Sequence, residues 1–159
     1  WVKRLAENHG VDVDALCRTA AMTWDEIRLM ARDPLATIGA HTLNHYNLRK
    51  LSNEDSAREI IESGRRIESE LQKKIEHFAY PYGNKDAADN REFQFAKNAG
   101  YQTAVVTRLG TVLPEHKFHM QALPRIMVSG RYQNPNYIEA LISGVPSWLT
   151  NKLSGLNVR

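Results

Sequence analysis

Hydrophobic residues recur along this chain with the spacing of helices in some segments and of short strands in others. Residues Val2–His9 have a helical pattern that stops at Gly10. Further on, Thr23-Trp24-Asp25-Glu26 has the sequence of a capping box, in which a Thr hydroxyl and a Glu carboxylate satisfy free N–H groups at a helix start. We therefore predict a helix in each place. The second carries Trp24, Ile27 and Met30 on one face and ends before Pro34.

The rest of the chain alternates strand-like and helix-like segments. The predicted strands are Leu35–Ala40, His77–Tyr80, Tyr101–Thr107 and Leu123–Val128. One predicted helix begins near Ser52 and has Ile60, Ile61, Ile67 and Leu71 at helical spacing. A second runs from about Ala88 to Ala99, with Gly100 as its cap, and a third runs from about Asn136 to Ile142. In the tail from Pro146, Trp148 and Leu149 are candidates for packing as a cap.

Strands that alternate with helices indicate parallel βαβ units, and therefore an α/β fold. In such folds the chemistry gathers in loops at the carboxyl ends of the strands. The pattern shows four convincing strands, whereas a closed barrel needs about eight. We therefore expect a partial or deformed (β/α) barrel whose N-terminal part is absent.

Composition narrows the class of protein. The 159 residues are 42% hydrophobic and 25% charged, which suits one globular domain, 1–159. The net charge of +3 comes with no basic stripe interleaved with aromatics, so no nucleic-acid partner is expected. Cys17 is the sole cysteine, which excludes an intrachain disulfide, and no apolar run is long enough to cross a membrane. The start at Trp1, without Met or a signal-peptide profile, indicates a removed segment or a start inside a larger protein.

The most informative motif is His41-Thr42-Leu43-Asn44-His45, directly after the first predicted strand. Two imidazoles four residues apart in a loop at a strand end are placed to bind one divalent metal ion. A helical zinc-protease pair needs Glu directly after the first His, and Thr42 in that position excludes that class. On spacing alone, two ordinary loop histidines remain the alternative.

Two motifs together resemble a known family. Residues 38–45, Ile-Gly-Ala-His-Thr-Leu-Asn-His, are similar to the second motif of the polysaccharide deacetylases, the NodB-homology group of carbohydrate esterase family 4. Residues 78–83, Phe-Ala-Tyr-Pro-Tyr-Gly, are similar to its third motif, in the expected order. The resemblance covers about Met22 to Val128, which leaves 129–159 as a C-terminal helix and tail.

The resemblance implies a deformed (β/α) barrel that removes acetyl groups from a polysaccharide or oligosaccharide with a divalent metal, most often zinc. It implies His41 and His45 as metal ligands beside an Asp, and Tyr82, through its backbone N–H, as the oxyanion donor. Arg125 is the second predicted catalytic residue. The predicted substrate-binding residues are Thr42, Tyr80, Pro81 and Gly83. By resemblance the protein is extracytoplasmic or associated with the cell envelope, with an acetylated glycan as its partner.

The chain departs from the family pattern at several points. The earlier motif that supplies the Asp ligand and the catalytic base is not recognisable, and the acidic pair Asp25-Glu26 opens a capped helix. Ala79 stands where many members carry Arg, and Leu123-Pro124-Arg125 where many carry a catalytic His. Arg125 is thus either a replacement for the missing Arg or a surface residue, and Tyr80 and Tyr82 are either site residues or packing aromatics.

Two further expectations follow from these departures. His116 and His119 lie in a Pro-flanked segment, where exposed loop histidines are favoured over a catalytic acid. A barrel without its first strands exposes strand edges, so association with another copy or with a missing segment is expected. The alternative to a deacetylase is a non-catalytic sugar-binding or scaffold relative that has lost the base. A third possibility is a different metal-dependent amidohydrolase on a related barrel.

Overall fold

The structure of this chain is a computed structural model that describes residues 2–130, 133–151 and 157–158. It divides into two compact units, Trp1–Thr37 and Ile38–Arg159. No helix among the described residues is both long and apolar enough to span a membrane.

The first unit contains α1 (Val2–Asn8), α2 (Val13–Ala20) and α3 (Trp24–Met30). The predicted capping box at α3 is confirmed, because Thr23 Oγ1 accepts from the Glu26 N–H and the Thr23 N–H donates to Glu26 Oε2 at 2.7 Å. These bonds from Thr23 also lower the pKa of Glu26. The carboxylate of Glu26 therefore serves the helix start.

Helix α2 was absent from the sequence prediction. Its N-cap is Asp12, whose side chain accepts from the Ala15 N–H at 2.9 Å, and the helix has no buried residue. The helix has only eight residues, fewer than an isolated helix needs to be stable in water. The Asp12 cap helps to stabilise this short element.

Among its described residues, the second unit contains a small parallel sheet and four further helices. The strands are β1 (His77–Ala79), β2 (Thr103–Leu109) and β3 (Leu123–Arg125), and the helices are α4 (Asn53–Leu71), α5 (Asn90–Asn98), α6 (Pro135–Ile142) and α7 (Val145–Thr150). Short 3-10 turns cover Leu48–Lys50 and Pro114–Phe118. The predicted caps are confirmed, because Ser52 caps α4 and Gly100 follows α5 with a positive φ of 88°.

The three strands are parallel and lie in the order β1-β2-β3. Phe78 pairs with Ala104, and Leu109 pairs with Arg125 beyond an irregularity in β2. Strand β2 begins and ends two residues later than predicted, whereas β3 ends at Arg125 instead of Val128. The end of β2 follows from pairing with β3, which a single-segment pattern does not contain.

The predicted strand Leu35–Ala40 is wrong as a strand. Only Ala40 pairs with β1, as an isolated parallel bridge to Phe78, with N–H···O bonds of 2.8 and 2.9 Å. Leu35 is 94% exposed and its N–H donates to the side chain of Asp33, so this segment starts as a turn after Pro34. The short bridge nevertheless places the residue after Ala40 at the carboxyl end of the sheet.

One hydrophobic core lies in the second unit and joins α4 and α5 to the sheet. Its largest buried members include Leu48, Ile60, Phe78, Tyr80 and Val106. A buried hydrogen bond crosses it from the Tyr101 hydroxyl to the Ile60 carbonyl at 2.9 Å. The hydroxyl lies so close to α4 that a Cβ at Gly64 would overlap it. The glycine in mid-helix therefore allows the close approach of helix and ring.

The tail begins with helix α7. Trp148 and Leu149 are about half exposed, while Ser147 is buried and its hydroxyl donates to the Gly144 carbonyl at 2.9 Å. The packing of the tail as a cap stays a prediction.

Candidate functional site

The site candidates gather at the carboxyl end of the parallel sheet. His41 directly follows the Ala40 bridge, and the turn Pro81-Tyr82-Gly83 follows β1, the strand to which Ala40 is bonded. Neighbouring parallel strands bring their carboxyl ends to one edge, so two segments distant in sequence become neighbours.

The two histidine rings lie against each other and against Tyr82. The ring centroids of His41 and His45 are 4.9 Å apart with an interplanar angle of 71°, and those of His45 and Tyr82 are 5.0 Å apart. All three side chains are exposed. The sequence prediction that His41, His45 and Tyr82 share one site is therefore consistent with their placement, while their roles stay predictions.

The hydrogen bond of His41 determines which of its nitrogens is free. Its Nδ1 lies 2.7 Å from the Ala79 carbonyl oxygen, which can only accept, so Nδ1 carries the proton. The lone pair of a neutral His41 is then on Nε2, at the far side of the ring. A backbone carbonyl behind a ring nitrogen is the usual arrangement that orients a metal-binding histidine.

The loop between the histidines has an unusual backbone. Thr42 and His45 have φ angles of 64° and 57°, in the left-handed region that non-glycine residues seldom adopt. Thr42 Oγ1 accepts from the His45 N–H at 3.1 Å, so the predicted substrate-binding hydroxyl already serves the loop. Glu59 of α4, which the sequence analysis missed, accepts from the loop as well. No local signal marked it, because a Glu in a helix with many exposed charges has no distinguishing pattern.

The turn at residues 81–83 is held tightly on β2. Tyr82 and Gly83 have φ angles of 61° and 62°. The Thr107 hydroxyl donates to the Tyr82 carbonyl, and the Thr107 N–H donates to the Gly83 carbonyl at 3.1 Å. The Tyr82 N–H has no acceptor among the described residues, and is therefore available to a ligand.

The other predicted substrate-binding residues are buried. Pro81 and Gly83 are inside the turn, and Tyr80 is fully buried with its hydroxyl donating to the Gln121 carbonyl at 3.0 Å. Burial raises the pKa of Tyr80. This placement favours the packing alternative for the Tyr80 side chain, and leaves Pro81 and Gly83 to shape the backbone around Tyr82.

Arg125 lies at the end of β3 with an exposed side chain. Its Nε–H donates to the Val106 carbonyl at 2.9 Å, which holds the guanidinium against β2. The residue is at the same edge of the sheet as the histidine loop, because it pairs with the last residue of β2. The structure assigns it no hydrogen bond to the histidines or Tyr82 within the described ranges, so its catalytic role stays a prediction.

The expectation that His116 is an exposed loop histidine is wrong. The residue is fully buried and its Nδ1 accepts from the Leu113 N–H at 2.9 Å. Burial lowers the pKa of His116, and its Nε2 has no hydrogen-bond partner among the residues that the structure describes. The ring therefore closes a 3-10 turn as a neutral side chain. His119 is half-buried.

A second residue that sequence reasoning missed is Arg108 on β2. It is 6% exposed, its Nη2–H donates to the Ala88 carbonyl at 2.6 Å, and its guanidinium lies 5.4 Å from the Phe93 ring centroid. Burial lowers the pKa of Arg108. The alternation of buried and half-buried residues along β2 places it inward, where it fastens the loop that follows the Tyr82 turn.

The residues present fit half of a zinc site. Within residues 2–130, 133–151 and 157–158 no group of three His, Cys, Asp or Glu side chains is placed to hold a metal. His41 and His45 supply two nitrogen donors in contact, with the tautomer of His41 oriented for Nε2 coordination. A tetrahedral zinc site takes about four ligands, so two must come from elsewhere.

Comparison with known proteins supports one family. A sequence model of the polysaccharide deacetylase family matches residues 3–104, more than half of the chain. The match starts earlier and ends earlier than the resemblance predicted from the motifs. None of the curated proteins matches the chain.

Solved structures share the fold. The chain superposes on the deacetylase PplD of Streptococcus pyogenes, solved in complex with acetate, with a TM-score of 0.67 at 21% identity, covering 76% of this chain and 50% of that one. A polysaccharide deacetylase of Bacillus cereus gives 0.66 at 21% identity, with 77% and 37% covered. A de-N-acetylase of Aggregatibacter actinomycetemcomitans gives 0.61 at 16% identity, with 76% and 53% covered.

The chain thus spans about half or less of the length of these structures. The predicted fold class, an α/β partial or deformed (β/α) barrel of the NodB-homology type, is confirmed by this likeness and by the small parallel sheet. With its family match over residues 3–104, this chain belongs to the polysaccharide deacetylase family.

Proposed function

We propose that this chain carries the histidine and oxyanion-donor part of a hydrolase site that removes acetyl groups from a glycan. The observation that carries the proposal is the contact of three exposed rings at the carboxyl end of the sheet, those of His41, His45 and Tyr82. Family membership supports the reaction class, and the acetylated polysaccharide or oligosaccharide is the proposed substrate.

In this proposal His41 and His45 bind a divalent ion, with zinc as the proposed metal. When bound, such an ion polarises an acetyl carbonyl and lowers the pKa of a coordinated water. The chain's own residues have separate tasks. The Ala79 carbonyl keeps the proton of His41 on Nδ1, so that the lone pair of Nε2 is left to coordinate the metal.

Tyr82 contributes through its backbone. The left-handed turn is fastened by Thr107, and its Tyr82 N–H has no acceptor among the described residues. We assign this N–H as the donor to the oxygen that becomes negative during acetyl transfer. The exposed Tyr82 ring, next to His45, forms one side of the approach. Arg125 is proposed as a second cationic group at this edge.

A second candidate, a non-catalytic sugar-binding relative, is favoured by one observation. The described residues bring no carboxylate into contact with the histidine rings. Deacetylation requires a base that takes the proton from the attacking water, and such a base contributes about 10²–10⁴-fold to the rate. We expect little or no release of acetate from an acetylated glycan by the 159-residue chain, because the described residues bring no base to the histidines. Robust turnover would exclude the non-catalytic candidate and show that one of these residues serves as the base.

Metal binding tests the proposed ligands directly. Two protein ligands alone hold zinc weakly, with water or a small anion completing the shell. We expect the chain to bind Co²⁺ or Zn²⁺ in a titration followed by cobalt absorbance and histidine NMR signals, and the variant H41A/H45A to lose that binding. A matched control is His119→Ala, which removes a half-buried histidine outside this cluster. Equal metal uptake by the wild type and H41A/H45A would exclude the assignment.

A further inference from the structure

Glu59 reaches from α4 into the loop between the two histidines. The residue is 6% exposed. Oε2 accepts from the N–H groups of Leu43 at 3.0 Å and Asn44 at 2.8 Å, and Oε1 accepts from the Asn44 side-chain amide at 2.5 Å. In the part of the chain that the structure describes, neutral donors and no cation satisfy this buried acid.

These bonds hold the backbone of the loop in place, because they satisfy successive backbone N–H groups. The N–H groups of residues 43 and 44 bond Glu59, and the next N–H, of His45, bonds the Thr42 hydroxyl. The loop also contains the positive φ angles of Thr42 and His45, a backbone conformation that is unfavourable for a non-glycine residue. A loop with that backbone keeps its shape only while its surroundings hold it.

We propose that Glu59 is a positioning residue that holds the loop so that His41 and His45 present their rings to one metal ion. The proposal rests on the proposed function of the histidine pair. The helix supplies the rigidity, since α4 is anchored in the core by Ile60, the residue next to Glu59. Loss of the carboxylate frees three donors, and the loop can then relax from its left-handed backbone.

The experiment compares three variants of the 159-residue chain. Glu59→Ala removes all three acceptor bonds. Glu59→Gln keeps the shape, and its amide can bond the loop fully if the Asn44 side-chain amide turns over. Glu68→Ala is the matched control, because Glu68 is on the same helix and its Oε1 also accepts a loop N–H, that of Ile75, at 3.0 Å.

Cobalt and zinc affinities and the melting temperature are measured for each variant. We expect E59A to lose about 10–100-fold in metal affinity, which is usual when a group that orients the ligands is removed. E59Q should stay nearer to the wild type than to E59A, and E68A should keep wild-type affinity even if its melting temperature falls. Equal affinity loss in E59A and E68A, or in E59A and E59Q, would overturn the proposal.

A metal-free measurement separates this proposal from the proposed function. The imidazole NMR signals of His41 and His45, and hydrogen exchange of the Leu43 and Asn44 amides, report the loop directly. We expect both to change in E59A and to stay unchanged in E68A. If the wild type binds no metal at the histidines, the proposed function fails while these signals still decide the role of Glu59. Unchanged signals in E59A would refute the positioning role.

Discussion

Replacing Gly83 by Ala tests how tightly the Tyr82 turn is seated on β2. The residue has a φ of 62°, and an added Cβ would lie 2.6 Å from the Thr107 backbone nitrogen and 3.0 Å from its Cγ2. The left-handed backbone costs about 1–2 kcal/mol for a non-glycine residue. The overlap is with backbone atoms of a central strand, and such overpacking costs about 1–3 kcal/mol.

The two costs sum to about 2–5 kcal/mol for G83A. For a chain of this size 1 kcal/mol shifts the melting temperature by roughly 2–4 °C, so we expect a fall of about 4–20 °C. Gly100→Ala is the matched control. It has the same kind of backbone, with a φ of 88°, but no atom lies within 4 Å of its added Cβ. G100A should therefore be destabilised by the cost of the left-handed backbone alone.

Thermal unfolding followed by circular dichroism measures both variants. A larger fall for G83A than for G100A isolates the contact with Thr107, which also holds the Tyr82 carbonyl. Equal shifts for the two variants would refute the close approach of turn and strand.

Two further predictions concern the core and the buried histidine. G64A should destabilise the wild type, because its Cβ overlaps the Tyr101 hydroxyl, and should be much less destabilising in the Y101F background, where the hydroxyl is gone. A double-mutant cycle followed by urea unfolding measures this coupling. Additive effects of the two substitutions would exclude the contact. For His116, burial lowers the pKa below the usual 6.5, so the unfolded chain binds the proton first and stability falls as pH drops below about 6.5. Lowering the pH from about 7.5 to about 5 should therefore reduce the free energy of unfolding of the wild type more than that of H116Q. Equal dependence of this free energy on pH in the two proteins would contradict a buried neutral ring.

Local patterns were sufficient for the starts of α3 and α4, for the end of α5 and for the motifs. The capping box at Thr23, the start of α4 after Ser52 and the glycine after α5 are set by side chains within a few residues, and the structure has all three. The histidine motif and the Pro-Tyr-Gly turn were also visible in sequence, because their residue types are rare at such spacing. The family match extends over both motifs.

Long-range pairing decided what the patterns missed. Leu35–Ala40 has strand-like residues, but only Ala40 finds a bonded neighbour, since strand formation needs a partner and not a propensity alone. Similarly, the apolar or polar type of a residue did not reveal that Tyr80 and His116 are buried. Burial depends on which elements cover a side chain, and that is a property of the assembled sheet and helices.

The sequence by itself therefore determined the family, the helix boundaries near caps and the candidate ligands His41 and His45. The tertiary structure alone decided that these rings meet Tyr82, which belongs to a turn 37 positions after His45 along the chain, and that Glu59 holds the loop between them. The physical reason is that parallel strands gather their carboxyl ends at one edge, while the bond from α4 joins residues 15 positions apart. Neither relation leaves a periodic signal in the chain.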